Sequence, residues 1–308
     1  MQCRGSIGYT QPMTEPTTHT FLSQRLTLAY AAWGDPAAPL LLLVHGGRDQ
    51  KRSWDWVARE LAADYRVIAH DLRGHGQSEH VSDGEYAVMD HVFDLASLVA
   101  HLKEDHGERA DHFTLIGHSL GGNITVRFAG LYPEKIKQLV AIEGLGPSPK
   151  MLAERRREKL EDRLQNWVEQ RTKLSSRSAR IMADYAEAEA RMRAAHTHLS
   201  DEQITHLTKH GIKQNEDGTV SWCYDPAGMG RSPSDITNEE FQALWARITC
   251  PTWLVYGANS WASNPERDGR ATHFKNATVS EIPEANHWVH HDQFEVFMTG
   301  LNRFLDRA

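Results

Sequence analysis

The chain has 308 residues, 40% of them hydrophobic, and a net charge of −7 with acidic and basic side chains interspersed. That length supports one large α/β domain with an insertion, or two modest domains, and the charge pattern offers no basic face for a phosphate backbone, which excludes nucleic acid as a partner. Three scattered cysteines, Cys3, Cys223 and Cys250, make neither a disulfide framework nor a paired metal motif, and no apolar run approaches the roughly 20 residues that span a bilayer; a soluble protein in a reducing, cytoplasmic setting without a membrane partner is expected.

Residues 1–20 are polar and Thr-rich, lack the apolar core of a secretory signal, and read as an N-terminal tail. The strand "LLLLVHGG" (Leu40 to Gly47) follows, then a helix around "WDWVARELA", the strand "RVIAHD" and a helix over about Asp90 to Lys103. Next come the strand "FTLIG", a helix from Ser119 to about Tyr132, and the strand "QLVAIE". After a long interval "TWLVYG" and "TVSEIP" supply two more strands, and "DQFEVFMTGLNRFL" closes the chain as an amphipathic helix. Short apolar runs alternating with helical periods predict a mostly parallel sheet with helices on both faces.

Between Gly146 and Arg247 the strand signal vanishes. Leu160, Leu164, Trp167 and Val168 share a helical face, as do Ile181, Tyr185, Ala188 and Met192. Capping boxes start two more helices, Ser200 with Gln203 and Thr237 with Glu240. An insertion this long is too large for a structureless loop, so residues 147–247 form a helical subdomain between core segments 21–146 and 248–308. Its run "AERRREKLEDR" reads as a solvated face laced with i,i+4 pairs.

"LIGHSLGG" contains Gly117-His118-Ser119-Leu120-Gly121, a G-x-S-x-G between a strand and a helix. A turn that sharp tolerates only small residues two places either side of the serine, and it lifts Oγ above the carboxyl edge of the sheet. A serine needs a base. Of eighteen histidines, His287 in "PEANHWVHHD" lies in the loop after the last strand, at that same sheet edge. His290 and His291 have no compact set of further ligands beside them and read as supports rather than a metal cluster; His45 and His75 read as braces of their loops. A tetrahedral oxyanion needs two preorganised donors. The N–H of Leu120 is one, and the N–H of Gly47 in "HGGRD" is the other, with glycine allowing close approach there.

"VHGG", "DLRGHGQSE", "GHSLGG" and "ANHWVHHD" stand in the order and spacing of the α/β-hydrolase superfamily, and the resemblance covers nearly the whole chain. Within it, "AIEGLGP", "NEDGTVSW" and "RITCPTWLVYGANSW" most resemble the serine hydrolase-like proteins. The resemblance implies Ser119 as nucleophile, His287 as base, Gly47 and Leu120 as oxyanion donors, and a cap formed by the inserted helices. It also exposes a departure. Members often carry the triad acid in a G-x-x-D pattern after the strand that here reads "TWLVYG", whereas this chain has Gly257, Ala258, Asn259 and Ser260. Glu266 and Asp268 lie too far along for the same geometry. Other branches place the acid one strand earlier, which is Glu143, the end of an apolar run where a lone buried carboxylate would otherwise be costly. A bond to the far nitrogen of His287 makes it tolerable.

A serine nucleophile points to acyl chemistry on an ester, thioester, lactone or amide, with water as second substrate and no cofactor or metal. Carbon–carbon bond hydrolysis and acyl transfer share the apparatus, and a ligand-binding module on the same fold is the alternative from another class. Trp54, Trp261 and Trp288 stand near the site loops as candidate pocket walls, and Arg48 as a candidate for a substrate carboxylate unless it pairs with Asp49.

Overall fold

Side chains alternate across a strand, and in Leu40–Val44 that alternation divides the interior. Leu40, Leu42 and Val44 enter one hydrophobic cluster, while Leu41 and Leu43 enter another on the opposite face. The structure is a computed structural model that describes residues 15–229 and 237–306. Its main sheet has eight strands: β1 (Thr17–Ser23), β2 (Leu26–Trp33), β3 (Leu40–Val44), β4 (Arg66–His70), β5 (Phe113–His118), β6 (Ile136–Ile142) and, after an insertion with three short strands β7 to β9, β10 (Thr252–Gly257) and β11 (Ala277–Ile282). Their order is β1-β2-β4-β3-β5-β6-β10-β11. β1 with β2 and β2 with β4 run antiparallel, and every other neighbouring pair runs parallel.

Helices cover both faces, as expected. α1 (Asp55–Leu61) puts Val57 and Leu61 on one side. α2 (Val88–His106) and α3 (Leu120–Leu131) put Leu95, Leu98, Ile124 and Phe128 on the other.

The N-terminal tail expectation is corrected in part. Thr17–Ser23 is an edge strand whose first four residues are exposed, joined to β2 by a tight turn with Gln24 at φ 55°. An edge strand with one solvated face keeps polar β-branched residues such as Thr17, Thr18 and Thr20, and this hid it among tail-like composition. Residues 1–14 lie outside the described residues.

The insertion contains α4 (Pro149–Arg157), α5 (Leu160–Ser175), α6 (Tyr185–Ala195), α7 (Asp201–Gly211) and α8 (Asn238–Trp245), with both capping boxes formed. It is not purely helical. β7 (Ile181–Met182), β8 (Ile212–Gln214) and β9 (Val220–Trp222) form a small antiparallel sheet of order β7-β9-β8, so Ile181 belongs to a strand and not to the helical face assigned to it. Strands of two or three residues carry no readable alternation. The Asp217-Gly218 turn between β8 and β9, with Gly218 at φ 84°, was the legible hairpin signal. In α5 the helical spacing holds, but Leu160, Leu164 and Val168 are exposed instead of buried. Among the described residues the basic run pairs across to α8, Arg156 with Glu239 at 2.9 Å, rather than along its own helix.

After the insertion, α9 (Val289–Asp292) and α10 (Phe294–Leu305) complete the chain, with Phe297 and Leu301 of α10 packed in the cluster shared with α1.

Candidate active site

Three neighbouring strand ends build the site. β5 ends into Ser119, whose φ of 52° and ψ of −114° form the sharp strand-to-helix turn. Such a conformation costs a non-glycine residue on the order of 1–3 kcal/mol and persists only where its surroundings fix it. Here they do. Ser119 N–H donates to Ile142 O at 2.8 Å, tying the turn to the tip of β6. A Cβ added at Gly121 would stand 2.1 Å from Val44 O, so α3 lies against β3 by backbone contact that only glycine permits.

β6 ends into Glu143, also at positive φ (51°), with its N–H on Val255 O at 2.9 Å. Gly144 then passes so close to α3 that an added Cβ would sit 2.4 Å from Gly122 Cα. The Glu143 side chain is fully buried. Its Oε1 accepts Gly257 N–H at 2.9 Å, and its Oε2 accepts Ser260 Oγ–H at 2.6 Å and is bonded to His287 Nδ1. The other ring nitrogen, His287 Nε2, lies 2.9 Å from Ser119 Oγ. An ionised carboxylate only accepts, which puts the ring proton on Nδ1 and leaves the Nε2 lone pair facing the serine hydroxyl. The structure therefore brings Ser119, His287 and Glu143 into one hydrogen-bonded line.

His287 is held from behind. His118 Nε2–H donates to its carbonyl at 2.8 Å, Asn286 N–H donates to Asp292 Oδ2 at 2.8 Å, and the loop crosses Gly257 so tightly that a Cβ there would meet Ala285 O at 2.4 Å. His118 packs on His290, which stacks on Trp54 with ring centroids 4.5 Å apart. Burial holds His118 and His290 well below the ordinary imidazole range, with neighbouring histidines adding to it. Burial likewise takes His291 down to about 3. His290 and His291 are neutral supports of the site.

The loop after β3 faces the turn. Leu120 is the first residue of α3, and Gly47 approaches its side chain. The crowding expected at Gly47 falls on Gly46 instead, where an added Cβ would stand 2.9 Å from His118 Nδ1; at Gly47 the nearest atom would be 3.9 Å away, an ordinary contact. His45 and His75 brace this loop as anticipated. His45 Nε2 accepts Leu72 N–H at 3.0 Å, and His75 Nε2 accepts the N–H of Arg48, itself at φ 61°.

The family model for the alpha/beta hydrolase fold matches residues 39–294. The chain belongs to the α/β-hydrolase family. Among its relatives, the serine hydrolase-like protein of Danio rerio is 29% identical over 61% of this chain and 56% of its own length, so the chain spans little more than half of that protein. The putative 2-succinyl-6-hydroxy-2,4-cyclohexadiene-1-carboxylate synthase of Bacillus subtilis is 27% identical over 94% of this chain and 98% of its own. The sn-1-specific diacylglycerol lipase of Mus musculus is 26% identical over 98% and 96%. Of solved structures, the thioesterase domain from the curacin biosynthetic pathway superposes with a TM-score of 0.79 at 25% identity, covering 93% of this chain and 99% of that one. The coarse class is that of a hydrolase.

In this α/β-hydrolase the four pocket candidates separate. Trp54 is fully buried under His290 and is corrected from pocket wall to core; it sits at the start of α1, a buried helix, rather than on the loop tip. Trp261 is 75% exposed with its ring 4.8 Å from that of His287, at the mouth of the site. Trp288 stacks flat on His196 of the insertion at 4.3 Å. With Arg48, Met192, Leu207 and Trp222 it lines a cavity of about 20 Å³ between insertion and core, room for about one water. The Arg48–Asp49 pair does not form. Asp49 is buried, accepts Gln50 N–H and Ser53 Oγ–H, and is pushed up to about 7 by burial. Ser260 is the residue that sequence reasoning missed. As an acid its position is vacant, yet its hydroxyl engages Glu143, a relation visible only once β6 and β10 lie side by side.

Proposed function

We propose that the protein is a serine hydrolase that cleaves a small-molecule ester through an acyl-enzyme on Ser119. The observation that carries this reading is the continuous line Ser119 Oγ, His287 Nε2, His287 Nδ1, Glu143 Oε2, with its first gap 2.9 Å. His287 takes the hydroxyl proton as Oγ attacks the acyl carbon, and Glu143 stabilises the imidazolium that forms. The tetrahedral oxyanion faces the N–H groups of Leu120 and Gly47. His287 then returns its proton to the leaving alkoxide, and water repeats the sequence to release the acid.

The insertion acts as a cap, with Arg48, Trp261 and Trp288 at the boundary the substrate crosses. Thioesters belong in the same panel, since the curacin thioesterase domain shares the architecture at 25% identity. Cys223 and Cys250 are buried free thiols, consistent with a reducing compartment, and no helix among the described residues is long and apolar enough to cross a membrane.

The test is a panel of p-nitrophenyl esters, acyl thioesters and lactones assayed with wild type and Ser119→Ala, alongside labelling by a fluorophosphonate. Labelling and turnover that vanish together in Ser119→Ala support the reading. A folded wild type that neither labels nor turns over any of them refutes it.

A further inference from the structure

Resting on the triad reading above, the surroundings of Glu143 give Ser260 a role. Two donors converge on a single oxygen, Glu143 Oε2: His287 Nδ1 and Ser260 Oγ–H, the latter at 2.6 Å. Ser260 is fixed for this contact from its own side. Its N–H donates to Gly257 O at 3.1 Å, and its Oγ accepts Ala262 N–H at 3.2 Å, so the hydroxyl proton is directed at the carboxylate. A carboxylate with no solvent contact stays ionised only where donors surround it. Gly257 N–H and Ser260 Oγ–H are the two donors that hold the carboxylate from outside the base itself. Hydrogen bonds to a charged acceptor are also the strong, orienting ones.

We infer that Ser260 is a positioning residue that holds the Glu143 carboxylate aimed at His287: Ser260 Oγ and His287 Nδ1 both lie within bonding distance of Oε2, while Gly257 N–H fixes the other oxygen.

The experiment compares wild type, Ser260→Ala, Ser260→Thr and Glu143→Gln by kcat/KM against pH on a short-chain p-nitrophenyl ester, with thermal melts of each and Ser119→Ala as blank. Losing a hydrogen bond to a charged group predicts a fall of about tenfold or more for Ser260→Ala. The acid limb moves to higher pH, because a carboxylate stripped of one donor holds the imidazolium more strongly. The other titratable groups facing the pair, His118 and His290 beside the ring and Tyr256 and Asp292 toward Glu143, are the same in every variant. Ser260→Thr keeps the hydroxyl and restores both rate and limb. Glu143→Gln loses activity.

The inference is overturned if Ser260→Ala leaves rate and limb unchanged, or lowers melting temperature and rate with no limb shift and no rescue by Thr. Wild-type rate in Glu143→Gln, with Ser119→Ala dead, rejects the acid and this inference while sparing the nucleophile. Activity surviving in Ser119→Ala rejects the function itself.

Discussion

Acidification toward pH 5 is expected to destabilise this protein, and its buried histidines are the cause. His45, His70, His91, His118, His290 and His291 are buried, and burial depresses each one, His70 to about 4 and His291 to about 3. Their folded forms refuse a proton that the unfolded chain binds near the ordinary value of 6.5. The stability they leave intact above that value is therefore lost as the pH falls below it. A histidine moved from 6.5 to 3 or 4 loses about 2 kcal/mol between pH 7 and pH 5, at 1.36 kcal/mol per unit of unequal protonation. His70 and His291 lose about 4 kcal/mol together, and the other four act in the same direction. Asp49 works in the opposite direction. Raised to about 7 by burial, it is protonated in the fold before the unfolded chain follows, and it restores about 2 kcal/mol over the same range. For these three groups the net loss is about 2 kcal/mol, to which the other four histidines add, a sizeable part of the stability of an ordinary domain. Urea titrations followed by tryptophan fluorescence at pH 7.5, 6.5 and 5.5 measure it, with a fall of more than about 1 kcal/mol expected over the last unit. His290→Phe keeps the stack on Trp54 and removes one titrating group, so that fall shrinks. A change below about 1 kcal/mol between pH 6.5 and 5.5 in wild type would refute the reasoning.

Three further outcomes test the architecture. Gly144→Ala drives a Cβ to 2.4 Å from Gly122 Cα, backbone against backbone, so it costs at least about 2 kcal/mol in urea unfolding and lowers ester turnover by separating Ser119 from Glu143. His206→Ala removes the contacts of α7 to Arg52 O at 3.0 Å and Asp55 Oδ2 at 3.3 Å; limited proteolysis should then cut the insertion faster while the core sheet remains resistant, and equal cleavage rates would contradict the contact's role. Trp261→Ala, at an exposed position beside His287, should leave stability within about 0.5 kcal/mol and raise KM several-fold for aryl esters, an effect absent if Trp261 does not meet substrate.

The parallel core was legible because β3, β5, β6 and β10 are buried on both faces and read as apolar runs rich in Leu, Val and Ile, with no competing helical period. The turn at Ser119 was legible for a different reason: small residues at positions 117 and 121 are dictated by contacts with backbone atoms, and such contacts leave a mark at fixed spacing. Edge strand β1 failed this test, since its exposed threonines report solvent rather than packing. The short strands of the insertion failed it by length. Trp54 illustrates a third limit. Proximity in sequence to the loop after β3 suggested a pocket wall, but α1 turns the indole inward onto His290. Nothing local in "RSWDW" distinguishes those two directions. Ser260 was read correctly as unable to act as an acid, yet its bond to Glu143 joins residues 117 positions apart.

The histidines around His287 bear on the role proposed for Glu143. His118 and His287 lie with ring centroids 4.9 Å apart, and His290 lies the same distance beyond His118. Of these three rings, His287 has the carboxylate partner, whereas neither nitrogen of His290 and not the Nδ1 of His118 finds a partner among the described residues. In the proposed mechanism a proton leaving Ser119 therefore has one favourable resting place. A charge on His118 would be desolvated and would repel an imidazolium beside it, so this stack contributes rigid neutral packing and a bond to the His287 carbonyl. Three donors, Gly257 N–H, Ser260 Oγ–H and His287 Nδ1, meet the Glu143 carboxylate, and a buried strand can end on a charge where its oxygens are satisfied in this way.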